Sequence, residues 1–204
     1  MRGCLHRLLP HLLSDEVALT GGIAIEFQLE EAGLQGHRDK LTDVDLVAAR
    51  QGAIAPSLAE DFLISHFHVP HPGYPKFMLQ VVDPLSRLRV DVFQDRTGSL
   101  GKARPFPALY EGLLVLDARS LLDYKLQLLS KASAEHPVDS KHYLDALALA
   151  RLFHHEVPPI PPAHLGQDVY CTNLDMLCQR CAASADEAFP LSPKRRIFDL
   201  LGYV

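Results

Sequence analysis

Asp43 and Asp45 stand two residues apart in Leu41–Thr42–Asp43–Val44–Asp45–Leu46–Val47, one helix-length interval after Thr20–Gly21–Gly22. Side chains alternate along a strand, so both carboxylates fall on one face while Val44 and Leu46 turn to the other, toward a core. A later apolar segment, Leu88–Arg89–Val90–Asp91–Val92–Phe93, carries a third aspartate. If the three meet, each pair about 4 Å apart costs roughly 4 kcal/mol at an effective dielectric of about 20. A divalent cation is the natural compensation. An all-oxygen donor set suits Mg²⁺ or Mn²⁺, which keeps waters and shares its remaining coordination with substrate phosphates.

The glycine pair supplies the other half of such a site. Val17, Ala18 and Leu19 form an apolar run that Thr20–Gly21–Gly22 ends, and Ile23, Ala24, Phe27 and Leu29 open a helical pattern. Bare backbone N–H groups at a helix N-terminus bind phosphate readily. Thr20 and Thr42, beside the glycines and the paired aspartates, are further phosphate-side candidates.

The order Gly-Gly, helix, Thr-Asp-Val-Asp-Leu, then an aspartate on a later strand resembles the minimal nucleotidyltransferases of the polymerase-β superfamily. Within it the chain is most similar to abortive-infection toxin nucleotidyltransferases and antibiotic nucleotidyltransferases, over roughly residues 15 to 150. Many members have Gly-Ser where this chain has Gly21–Gly22. Many toxin-like members carry an arginine a few residues before the paired aspartates, and Arg38 and Lys40, the nearby basic residues here, do not align with it cleanly. The resemblance implies a nucleotidyltransferase fold, a mixed α/β sheet flanked by helices, with an α-helical C-terminal region. It implies Mg²⁺-dependent transfer of a nucleoside monophosphate from an NTP to an acceptor hydroxyl on a small molecule, a tRNA or a protein. Asp43, Asp45 and Asp91 would be catalytic and metal-binding. It also draws in Lys125, within Leu121–Leu122–Asp123–Tyr124–Lys125–Leu126, and Lys141, within Lys141–His142–Tyr143–Leu144–Asp145, as nucleotide contacts. His142 stands where relatives have an aspartate, and Asp145 reads as a structural partner. Two rivals keep the same residues: a nucleotide-binding or toxin–antitoxin module without chemistry, and a metal-dependent phosphohydrolase.

Composition bounds the partners. The chain has 204 residues, 48% of them hydrophobic and 22% charged, which is ordinary for a globular protein with a real core. Its formal charge of −5 makes general nucleic-acid binding an unfavourable expectation, because affinity for a polyanion comes mainly from Lys and Arg on phosphates. No run approaches a membrane span, and the first helix, with Leu5, Leu8, Leu9, Leu12 and Leu13 interrupted by His6, Arg7, Pro10 and His11, is amphipathic rather than a signal-peptide core. The expected compartment is the cytoplasm.

Along the chain the pattern predicts helix over 4–13, strand over 16–20, helix over 22–33, strand over 43–48, helix over 56–66 and strands over 77–82 and 87–93. The last two form a hairpin through Asp83–Pro84–Leu85–Ser86. A strand near 113–116 and helices over 118–133 and 140–155 follow. A nucleotidyltransferase core over 1–116 and a helical region over 117–204 are the expected divisions. Pro158, Pro159, Pro161 and Pro162 form a stiff linker near 157–163, before helices at 172–183 and from Ser192 to Gly202. Cys178 and Cys181 have the spacing of half a zinc site that Cys171 with His154, His155 or His164 could complete, but one helix with cysteines as small hydrophobes is the expectation. His66, His68 and His71, among Pro70, Pro72, Gly73 and Pro75, read as a polar loop.

Overall fold

The computed structural model describes residues 2–38, 41–68, 72–73, 76–105 and 113–166. In order, these form α1 (Arg2–Leu8), β1 (Val17–Thr20), α2 (Gly21–Glu31), β2 (Asp43–Ala48), α3 (Leu58–Asp61), β3 (Leu63–His68), β4 (Met78–Val82), β5 (Arg89–Gln94), β6 (Arg104–Pro105), β7 (Leu114–Val115), α4 (Ala118–Leu129), β8 (Val138–Asp139), α5 (Ser140–Ala150) and β9 (Leu165–Gly166). The fold class is the expected one, a mixed α/β architecture. A seven-stranded sheet runs β3-β4-β5-β2-β1-β7-β6. The β2–β5 and β1–β7 pairs are parallel and the others antiparallel. No helix among the described residues is long and apolar enough to cross a membrane.

Register decides which face each side chain takes. Leu46 lies opposite Leu19 on one side and Val92 on the other, and Val90 and Val92 lie opposite Val81 and Leu79. All of these are buried, so one face of the central strands is continuous apolar core. The alternate positions form a polar row across the other face: His66, Gln80, Asp91, Asp45 and Thr20 are successive cross-strand neighbours. The period-two pattern of Asp43–Val47 therefore does what its residues predict.

Helices α2, α4 and α5 pack together beside this sheet. Gln28 of α2 donates from Nε2 to the Leu116 carbonyl at 2.8 Å, a buried tie between α2 and the segment that leads into α4. Asp117 caps α4 by accepting from the Ser120 amide at 2.9 Å, and Asp139 does the same for α5 from the Lys141 amide. Arg7 of α1 pairs with the fully buried Asp83 at the β4–β5 turn, fixing the first helix to the hairpin. Burial and the neighbouring Asp83 push the Cys4 thiol beneath it up to about 11, so it is an inert core group.

Two expectations need correction. The predicted helix over 56–66 is one turn, Leu58–Asp61, followed by an edge strand, because Leu63, Ile64 and Phe67 gain more by pairing along β4 than by continuing a helix. A bulge at Ser65 makes that pairing possible, its hydroxyl donating to the Gln80 carbonyl and Oε1. His66 and His68 consequently stand on this strand rather than in a loop. The short strands β6, β8 and β9 were not legible as strands at all, being two residues each. Beyond α5, Val157 and Ile160 rest against the core within the proline-rich stretch. The predicted helices at 172–183 and 192–202, with Cys171, Cys178 and Cys181, lie outside the described residues, as do Lys40 and His71.

Candidate active site

The sheet brings Asp43, Asp45 and Asp91 together. Asp45 and Asp91 are direct partners across the parallel β2–β5 pair, and Asp43 lies opposite Arg89 in the same ladder. Arg89 bridges the cluster: its Nη2 stands 2.7 Å from Asp43 Oδ2 and its Nε 2.9 Å from Asp91 Oδ2. Gln80 donates to the remaining Asp91 oxygen at 3.0 Å. Burial together with the like charges of Asp43 and Asp91 pushes the Asp45 carboxyl from an ordinary 3.8 up to about 7. Burial also raises Asp91, against the pull of Arg89.

Gly21 opens α2 at φ +63°, a left-handed conformation that favours glycine. A Cβ there would overlap Asp45 Oδ2 and lie 2.7 Å from Asp45 Cγ. The glycine is thus required twice, by its backbone and by the carboxylate that fills its missing side chain. Thr20 precedes it as the N-cap residue without a side-chain cap, and lies opposite Asp45 in register. Gly21→Ala is expected to cost about 2 kcal/mol and to displace Asp45, read as a lower denaturant midpoint.

Arg38 covers the next residue: a Cβ on Gly22 would lie 2.5 Å from its Nη1 and 2.7 Å from its Cζ. This arginine is anchored by Asp145 of α5, accepting from Arg38 Nε at 3.0 Å and Nη2 at 2.6 Å. Lys125 Nζ reaches the same carboxylate at 2.8 Å, and His37 Nε2 stands 2.9 Å from its other oxygen. Asp145 is fully buried and Lys125 only 3% exposed. Despite that burial, His37, Lys125 and Arg38 hold the Asp145 carboxyl well below the usual carboxylate range. His142 contacts Lys125 Nζ through Nδ1 at 2.9 Å, and burial and the lysine's charge push it down to about 4, keeping it neutral. An aspartate at position 142 would put a second carboxylate on this lysine, and the neutral ring takes its place.

Of the residues singled out in the sequence, Asp43, Asp45, Asp91, Thr20 and Gly21 are adjacent in the sheet ladder and its corner, and Gly22 lies under Arg38. Lys125 is buried on Asp145 instead of projecting as a solvated lysine, and its charge still reaches Asp45. Thr42 is half-buried just ahead of Asp43. Lys141 sits in the first turn of α5 with its Nζ 3.4 Å from Asp139 Oδ2. Sequence reading undervalued Arg38 and passed over Arg89 and His37. Arg89 had a signal, its i−2 spacing from Asp91 on one strand, which places both on one face. Arg38 had only its nearness to the paired aspartates and His37 had no signal, because their roles depend on a carboxylate more than a hundred residues away.

No protein-family profile matches the sequence, and no curated protein matches it. Among solved structures the chain is similar to JHP933 from Helicobacter pylori, with 12% identity and a TM-score of 0.44 over 72% of this chain and 64% of that one. It is similar to the Megavirus polyadenylate synthase, with 11% identity and a TM-score of 0.48 over 78% of this chain and 33% of that one. A third similarity is to a candidate nucleotidyltransferase from H. pylori, with 11% identity and a TM-score of 0.33 over 87% and 93%. The chain thus spans about two thirds and one third of the lengths of the first two. All three TM-scores lie below 0.5, so the chemistry has to be read from the site itself.

The donor set suits a hard divalent cation. Asp43, Asp45 and Asp91 offer only oxygens, and burial together with two like charges raises the Asp45 carboxyl. Among the described residues, however, no three His, Cys, Asp or Glu side chains are arranged to hold a metal ion as they stand. A guanidinium lies between Asp43 and Asp91 instead.

Proposed function

We propose that the protein transfers a nucleoside monophosphate from an NTP to an acceptor hydroxyl, releasing pyrophosphate. The observation that carries this reading is the Asp45 carboxylate, in register with Asp91 and seated in the space of a missing Gly21 side chain at the start of α2. One corner thereby joins a carboxylate cluster to a helix N-terminus, pairing cation chemistry with phosphate binding.

Mg²⁺ or Mn²⁺, held by Asp43, Asp45 and Asp91, would supply Lewis-acid activation and charge neutralisation for the triphosphate. The backbone amides of Gly21 and Gly22 bind phosphate oxygens at the helix start. Arg38, fixed over Gly22 by Asp145, faces the same oxygens. Lys125 adds positive charge from α4. Asp91 would either help hold the cation or accept the proton of the acceptor hydroxyl as the new P–O bond forms and the α-phosphate bond to the departing pyrophosphate breaks, Gln80 holding its other oxygen in place.

The test is to incubate the protein with Mg²⁺, mixed NTPs and host extract, and to search by mass spectrometry for any molecule gaining a nucleotide mass. An acceptor modified by the wild type and not by Asp45→Asn supports the reading, and a modified tRNA or protein would place the chain with toxin-like enzymes. Release of nucleoside monophosphate alone, with no modified acceptor, would replace it with phosphohydrolysis.

A further inference from the structure

We propose that Arg89 is an internal counter-ion that closes the carboxylate cluster to a free divalent cation and yields when the cation arrives with the phosphates of a nucleotide. This rests on the nucleotidyl-transfer reading and adds an order to it.

The guanidinium is 12% exposed and contacts one oxygen each of Asp43 and Asp91, at 2.7 and 2.9 Å. It reaches them because of where it sits, opposite Asp43 in the ladder and two residues before Asp91 on the same strand. A cation bound by these oxygens would have to displace it, since the two positive groups compete for the same lone pairs and repel one another. Displacement by a bare ion leaves a largely buried guanidinium without its carboxylates, which is costly. A triphosphate removes that cost, because its oxygens match the planar fork of an arginine. Neither Arg38 nor Lys125 can stand in for Arg89 on Asp43 and Asp91, as both are engaged by Asp145. Backbone movement is not needed, because β5 is paired on both sides and only the long side chain has to turn.

The competing view is that Arg89 is a fixed strut that aligns two carboxylates, in which case removing it weakens metal binding. Free Mn²⁺ measured by electron paramagnetic resonance, after subtracting what the nucleotide analogue chelates in the absence of protein, distinguishes the two without reference to turnover. For the wild type we expect weak Mn²⁺ binding alone, tightened at least tenfold by the non-reactive analogue α,β-methylene-ATP. Arg89→Gln should bind Mn²⁺ alone at least tenfold more tightly than wild type, and the analogue should then add little. If Arg89→Gln folds only when Mn²⁺ is present, its Mn²⁺-induced rise in melting temperature, far larger than that of wild type, supports the same conclusion. Arg89→Lys, which keeps the charge but loses the fork, should lie between the two. Mn²⁺ affinity in Arg89→Gln and Arg89→Lys equal to or below wild type would overturn the proposal. If the wild type still modified an acceptor in that event, only the role of Arg89 would fall. Wild type that binds no Mn²⁺ even with the analogue sinks both readings.

Discussion

Asp45→Asn is expected to lower Mg²⁺-dependent nucleotide transfer by about 10³-fold or more while leaving the metal-free fold as stable as before, or more so. On the proposed reading the loss follows from removing a cation ligand, whose stabilisation of transition-state charge is worth several kcal/mol. The stability follows from the cluster itself, in which Asp45 is buried beside two like charges while Arg89 pairs with Asp43 and Asp91. The same residue predicts a pH dependence. Its folded pKa, near 7, lies above the ordinary 3.8, so its contribution to stability is complete below about pH 4 and is lost as pH rises through 7. Allowing for solvent screening at a partly exposed group, that loss is of order 2 kcal/mol. Asp91, also raised, acts in the same direction. Melting curves of metal-free protein between pH 4.5 and 8 should decline for wild type and flatten in Asp45→Asn. A sharp fall in melting temperature of the metal-free variant would mark Asp45 as structural.

Asp145→Asn should have the larger effect on the fold. It leaves Arg38 and Lys125 without the carboxylate that both contact, deep between α2, α4 and α5. Breaking a buried ion pair from one side costs about 3–5 kcal/mol, or roughly 10 °C in melting temperature for a chain of this size. Its pH dependence runs opposite to that of Asp45: a depressed carboxyl gives stability that is present above its unfolded value and lost as pH falls through the folded one. Lys125→Met, which removes one cation and leaves Asp145 paired to Arg38 and His37, should cost less. Equal losses in the two variants would mean that the lysine, and not the carboxylate, organises the network.

The central strands were legible because short-range chemistry fixes them. Period-two alternation in Asp43–Val47 and Arg89–Phe93 needs no tertiary information to assign its faces, and the Asp83–Ser86 turn sets the hairpin. The segment 56–66 was misread because Leu58 and Phe62 are four apart, a helical interval, while the side that Ile64 and Phe67 bury is set by a neighbour strand. The carboxylates of the site could be named from sequence because they are the residues that strands expose in pairs. Of its cations only Lys125 was named, through the resemblance; Arg38 and His37 are selected by Asp145, and Arg89 by Asp43, through contacts that exist only once the chain is folded. Composition lists such groups without saying which acid each will find.

The β2–β5 pairing also bears on how quickly the molecule assembles. Parallel strands whose partners, Asp43 and Arg89, lie 46 residues apart must close a long loop before the ladder rewards it, a step that slows folding. Without Arg89, the second strand to dock would bring Asp91 onto an acidic strand and raise that barrier further. Here β5 carries its own cation, two residues from its acid and facing Asp43, so attraction and repulsion arrive together on one strand. Folding therefore need not wait for a metal ion, and refolding of wild type should proceed at the same rate in chelator as in Mn²⁺, whereas a chain lacking Arg89 would refold faster with the ion present.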